Sequence, residues 1–378
     1  MNKIVLKFVD DNQYKLNVAV KNFNLSANTG ARINSYFSTS LNSLYDSVDA
    51  IEDNNIFDPN NFYIFPIFYF HEETDPQYEY WVSFLKYFAK NNYERLKNKN
   101  TCLCICDLFE SSRNLVKVAE EIKFKYPEIK IWILTADKKL SSKIVKVIYN
   151  DVWISQFHPK TSVMPYKPKK LYINLTRVAR YHRCVLADSL ISNNLLKIGY
   201  NTWGDVYDAF EMYKQDHPKT KIAQAKFDVL DIEDLSKTNP NDVVPESHCK
   251  KSFLYLATET HVDSGYMFFS EKVYKPIGLG MPFITLGNPG TLEDLRQRGF
   301  FTFSEWFDES YDLDLPLQKR IDIICKNLIT LSKYRADDLI KIRKEMKGIL
   351  EYNQQLYALL QKKNSLKQTL RLAAEGIL

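Results

Sequence analysis

The chain is 378 residues long, with 45% hydrophobic and 26% charged residues and only 11 glycines and 14 prolines, which excludes a small module, a disordered chain and a collagen-like one. Its net charge of +5, from 51 basic against 46 acidic residues, does not demand a polyanionic partner. No run approaches the roughly 18 uncharged apolar residues of a membrane-spanning helix, and the length predicts two domains.

The apolar run at 4–9 is broken by Lys7 and followed by Asp10 and Asp11, so it reads as a first strand rather than a signal peptide. A cytoplasmic chain without a transmembrane segment is the expectation. The densest apolar stretch, 62–70, predicts a strand followed by a polar loop at His71, Glu72 and Glu73. The run 101–106 ends in Asp107 and Glu110 and leads into a helical stretch at 111–124, and 130–136 leads into Asp137 and another candidate helix. None of the six cysteines lies in CxxC spacing. Cys102, Cys104 and Cys106 alternate with Leu103 and Ile105 and share one strand face, expected to be buried rather than metal-binding because no histidine cluster accompanies them.

Pro159, Pro165 and Pro168 crowd the segment 157–170 and predict a linker. Strand-then-helix alternation returns at 170–175 before 181–196, at 253–258, and at 282–286 before 291–298. After 315, apolar residues such as Ile321, Ile324, Leu328 and Leu331 recur at helical spacing, and Lys362, Lys363 and Arg371 add charge that reads as a solvated face. These patterns predict an α/β protein with an N-terminal Rossmann-like domain over 1–165, a second over 166–316, and C-terminal helices over 317–378.

Two stretches carry chemistry. In 253–303 the pattern is strand, loop, helix, strand, turn, helix, and Glu271 and Lys272 fall at a helix start that Ser270 can cap. The free amides there favour a phosphate, and ligands of open α/β sheets sit at the carboxyl ends of strands. In the other, Asn174 closes a strand and Arg177, Arg180 and Arg183 follow at three-residue spacing. Guanidinium forks suit phosphate oxygens, although a row of surface ion pairs would use the same spacing.

The residues Leu256-Ala257-Thr258-Glu259-Thr260, then Tyr266, then Ser270-Glu271-Lys272, then Gly280-Met281-Pro282, resemble in order and spacing the α1,3-fucosyltransferases and their viral and bacterial relatives. Asn174 and Arg183 resemble that family's upstream Ser-Asn and helix-opening Arg. The resemblance covers about 171 to 310 and implies a GT-B-like, inverting glycosyltransferase whose C-terminal domain binds a nucleotide-sugar donor. It places Lys272 and Arg183 at the donor diphosphate and Glu271 and Tyr266 at the nucleotide; Glu259 and Asn174 fall within the matched stretches, and the arginine row adds Arg177 and Arg180 as candidates for the same donor site. Thr260 stands where the family has Asn.

Cations near a departing diphosphate lower the barrier to sugar transfer, so no metal or other cofactor is expected. Asp312-Leu313-Asp314 is the alternative, metal-holding device. Glu110, in Phe109-Glu110-Ser111, resembles the family's segment carrying the proposed base, although Ser112 follows where the family has Pro. Asp107 could serve instead, with Glu110 acting only through the charge of a helix start. The expected acceptor is a glycan or a hydroxymethylated base in DNA. A non-enzymatic nucleic-acid-binding protein using its basic C-terminal helices is the rival reading, and oligomeric state is not addressed by the sequence.

Overall fold

The computed structural model describes residues 3–7, 50–52, 58–68, 78–107, 113–155, 157, 166–167, 169–204, 209–228, 244–263, 267–363 and 366–377. It comprises two compact units, Met1–Val152 with Lys363–Leu378, and Trp153–Lys362. The helices after 316 are therefore divided between the units. Among the described residues no helix is long and apolar enough to cross a membrane.

The first unit holds a six-stranded parallel sheet made of β1 (Ile4–Lys7), β2 (Ala50–Glu52), β3 (Phe62–Phe68), β4 (Thr101–Asp107), β5 (Ile131–Thr135) and β6 (Lys146–Tyr149), in the order β2-β1-β3-β4-β5-β6. Its central strands read as near-continuous apolar runs because both faces are covered, as in parallel sheets generally. On one face Leu103, Ile105, Phe65 and Ile133 pack with Leu85 and Phe88 of α1 (Tyr78–Asn91) and Leu115, Ala119 and Ile122 of α2 (Arg113–Lys125). Cys102, Cys104 and Cys106 are buried and unbridged, as the alternation predicts, with the Cys104 and Cys106 sulfurs 3.8 Å apart.

The helix expected after Asp137 does not form. Asp137 accepts from the Lys139 amide (2.8 Å) and Ser142 Oγ accepts from the Ile144 and Val145 amides (3.0 and 3.1 Å), so side chains take the backbone donors a helix would use. The chain instead crosses directly to β6.

The second unit holds a four-stranded parallel sheet of β7 (Lys170–Leu175), β8 (Gly199–Thr202), β9 (Ser252–Thr258) and β10 (Phe283–Leu286), in the order β10-β9-β7-β8. From β7 the chain first builds outward to β8, then returns to the other side of β7 for β9 and β10. The crevice at the carboxyl ends of β7 and β9 is therefore the topological switch point, where open α/β sheets bind ligands. Gly199 has no substitute here, since a Cβ would sit 2.3 Å from the Tyr172 ring.

The helices of this unit are α3 (Tyr181–Ser192), α4 (Ala209–Asp216), α5 (Glu271–Gly278), α6 (Thr291–Gln297), α7 (Leu317–Leu331), α8 (Ala336–Glu345) and α9 (Lys347–Lys363), while α10 (Leu366–Ala374) belongs to the first unit. Buried arginines tie the later helices to the sheet. Arg343 of α8 donates to the carbonyls of Phe253 and Gly280 (2.8 and 2.9 Å). On α9, the Tyr357 hydroxyl lies 2.8 Å from the carbonyls of both Ile154 and Phe157.

Candidate functional site

At the switch point Asn174 bridges the two strands. Its Nδ2 donates to Leu256 O (2.8 Å) and reaches Thr258 Oγ1 at 3.3 Å, and its Oδ1 accepts from Thr176 Oγ1 (3.2 Å). Asn174 is thus used in holding the crevice together. The chain then turns through 176–180 into α3, with Arg177 exposed and Arg180 half-buried at the same edge.

Arg183 lies in the first turn of α3 and is 4% exposed. Its Nη1 donates to Val178 O and its Nη2 to both Thr258 O and Glu259 O, all at 3.0 Å. His182 beside it donates from Nε2 to the same Glu259 carbonyl (2.9 Å). Burial, reinforced by Arg183, pushes the His182 pKa down to about 3 from its ordinary 6.5, so the imidazole is neutral.

Between those two values the imidazole binds a proton only in the unfolded chain. Stability is therefore full above pH 6.5 and falls as the pH drops from 6.5 toward 3. The slope approaches about 1.4 kcal/mol per pH unit for one proton. Urea midpoints across the neutral to mildly acidic range should fall less steeply in His182→Gln than in the parent, and an unchanged pH dependence would remove His182 as the group responsible.

Glu259 follows β9 and is fully buried. Its Oε1 accepts from Ser270 N (2.8 Å), and its Oε2 accepts from Ser270 Oγ (2.6 Å) and Thr260 N (3.1 Å). The carboxylate therefore folds back and pins the loop that starts α5. Ser270 is the N-cap of that helix, and its Oγ accepts from Lys272 N at 3.3 Å.

Lys272 stays partly within reach of solvent. Its side chain is 22% exposed, and Nζ lies 3.0 Å from Ser270 Oγ, 3.3 Å from Thr260 Oγ1 and 3.1 Å from Glu271 Oε1. The other Glu271 oxygen, Oε2, is buried without a hydrogen-bond partner among the described residues. Burial pushes the Glu271 carboxyl up, but the charges of Lys272 and Lys275 outweigh it and hold the group below its ordinary range. The buried carboxylate fixes the Lys272 ammonium, which is partly exposed and can meet an anion.

On the β10 side, Asp312 Oδ2 accepts from the amides of Leu292 and Glu293 (2.9 and 3.4 Å) and so opens α6. Burial raises its pKa to about 6. No group of three metal-ligating side chains occurs among the described residues, Asp312 and Asp314 included. Arg320 of α7 is buried and donates to Tyr311 O (2.7 Å), Val262 O (3.2 Å) and Gly287 O (2.6 Å), tying together the loops that follow β9 and β10. Its role went unread in the sequence. The available signal was an arginine four residues before Ile324, on the apolar side of the helix.

The fold thus brings Asn174, Arg177, Arg180, Arg183, Glu259, Glu271 and Lys272 to one edge of one sheet. Glu110 and Tyr266 lie outside the described residues, as do His71, Glu72 and Glu73, and of Asp107 only the backbone, the last residue of β4, is described. A comparison with protein-family models and one with curated proteins found no match for this chain.

Proposed function

We propose that this chain is a glycosyltransferase of GT-B type, fucosyltransferase-like, that binds a nucleotide-sugar donor at the β7/β9 switch point and moves its sugar to a hydroxyl acceptor. The observation that carries the reading is Lys272. Its ammonium is held by Ser270, Thr260 and Glu271 beside the carboxyl end of β9, and the side chain stays partly exposed. Negative charge grows on the diphosphate as the anomeric bond breaks, and a fixed cation there stabilises the transition state more than the ground state.

Arg177 and Arg180 add positive charge at the same edge. Arg183 acts as a positioning residue, because its two terminal nitrogens hold the carbonyls that set the Glu259 loop. Glu271, beside Lys272, is the carboxylate proposed to meet the nucleotide. Glu110 is the proposed base for the acceptor hydroxyl, with Asp107 as the alternative, and inversion at the anomeric carbon follows from one direct displacement. The acceptor is a glycan or a hydroxymethylated base in DNA, and the reaction takes place in the cytoplasm.

A panel of GDP-, UDP-, CMP- and dTDP-sugars tests the reading by thermal shift. The true donor at 100 times its dissociation constant adds about 2.7 kcal/mol to stability, and that same donor should show turnover. A flat response across the panel would overturn it. With cationic side chains in place of a divalent ion, turnover is expected to persist in excess EDTA. Loss on chelation, restored by added Mg²⁺ or Mn²⁺, would redirect attention to Asp312 and Asp314.

A further inference from the structure

In a parallel sheet all strands start on one edge, so the segments entering them are gathered side by side. In the first unit those entering β1, β3, β4, β5 and β6 are residue 3, 58–61, 92–100, 123–130 and 142–145, the entry to β2 lying outside the described residues. Six of their lysines are exposed: Lys3, Lys97, Lys99, Lys125, Lys130 and Lys143. Arg95 and Lys123 add two half-buried charges. Against these eight stand three acids, Asp58, Glu94 and Glu128. Over these described segments the charges sum to five net positive, as many as the entire chain's +5. Among the described segments cations outnumber acids eight to three, whereas a merely solvating face mixes the two signs more evenly.

Two of the three acids are already engaged. Glu94 pairs with Lys97 (2.6 Å) and Glu128 accepts from the Tyr93 hydroxyl (2.7 Å). Aromatic rings are interleaved with the cations. Phe124, between Lys123 and Lys125, is 85% exposed. Tyr93 and Tyr126 lean on each other with centroids 5.3 Å apart, Lys97 lying over the first ring (5.5 Å) and Lys125 over the second (5.7 Å).

We infer that this edge of the first unit binds single-stranded nucleic acid without sequence preference, independently of the glycosyltransferase reading. Lysine ammoniums supply point charges for a phosphate backbone, and an exposed ring offers a face on which a base can stack. Five strands at about 4.8 Å spacing give an edge of roughly 19 Å. At about 3.4 Å per phosphate of a stacked strand, that length meets five or six phosphates, matching the number of exposed lysines. An anionic bilayer is a poorer fit, because the only large apolar side chains these described segments expose are Phe124 and Ile144, little area to bury at a headgroup boundary.

Anisotropy of a labelled oligothymidine, titrated at several salt concentrations, tests the inference. The slope of log K against log salt should be about −3.5, from roughly 0.7 per neutralised phosphate over five contacts. The triple change Lys99→Ala, Lys125→Ala, Lys130→Ala should make it shallower by about 2. Phe124→Ala should weaken binding about five- to hundredfold while leaving the slope alone. All four residues are exposed, so melting temperatures should stay near the parent's and any loss of binding can be read directly. Full binding by both variants would overturn the inference, as would loss only on changing Lys362, Lys363 and Arg371, or capture by phosphatidylserine vesicles with no oligothymidine binding. Nucleotide-sugar turnover is read separately, so failure here leaves that reading standing, and the reverse holds too.

Discussion

Lys272→Ala is expected to lower kcat/KM for the donor by about 10² to 10³, a loss of roughly 3 to 4 kcal/mol of transition-state stabilisation, with most of it in kcat. The cation meets a charge that increases as the reaction proceeds, so its removal affects the chemical step more than donor binding. The folded chain should tolerate the change. Lys272 is partly exposed, the Thr260 it touches is half-buried, and Ser270 keeps other partners, since Ser270 Oγ still donates to Glu259 and Ser270 still caps α5. Glu271 is the exception, because it loses the stronger of the two charges that hold its pKa down. Lys272→Met controls for this, keeping the stem without the charge, and should match the alanine variant in kcat. Turnover equal to the parent's with saturating acceptor would take Lys272 out of the site.

The elements around this residue were legible because their signals are local. The buried run of β9, the Ser270 cap and the Glu-Lys step occupy consecutive residues, and strand-then-helix alternation placed them at a carboxyl edge. The partners of the charged groups were not legible, because they are distant in sequence. Arg183 finds its acceptors 75 and 76 residues away, and Arg320 finds Val262 58 residues back. From sequence, three arginines at equal spacing look alike. In the fold one is buried on carbonyls while Arg177 is exposed and Arg180 half-buried. The strand β8 was missed because four residues opening with glycine carry no alternation to count. The candidate helix after Asp137 does not form because Asp137 and Ser142 accept from backbone amides that a helix would use.

Glu259→Gln separates support of the site from contact with a ligand. The native carboxylate accepts three hydrogen bonds, two from amides and one from the Ser270 hydroxyl, and no water is needed to satisfy it. An amide of the same shape can accept at one position only, and at the other its N–H donors would face Thr260 N or Ser270 N, both donors themselves. Leaving such a buried donor without an acceptor, and losing charge-assisted bonds, should cost about 2 to 4 kcal/mol. In a unit of this size that lowers the melting temperature by roughly 5 to 15 °C. Because the loop it pins carries Ser270 and hence Lys272, donor affinity should weaken in the same variant, while a rise in temperature should inactivate it earlier than the parent. A ligand-contacting residue would behave otherwise, with donor affinity falling and melting unchanged in the absence of donor. Melting at the parent's temperature would therefore refute the pinning role of Glu259 and make its carboxylate a candidate for direct contact with the donor.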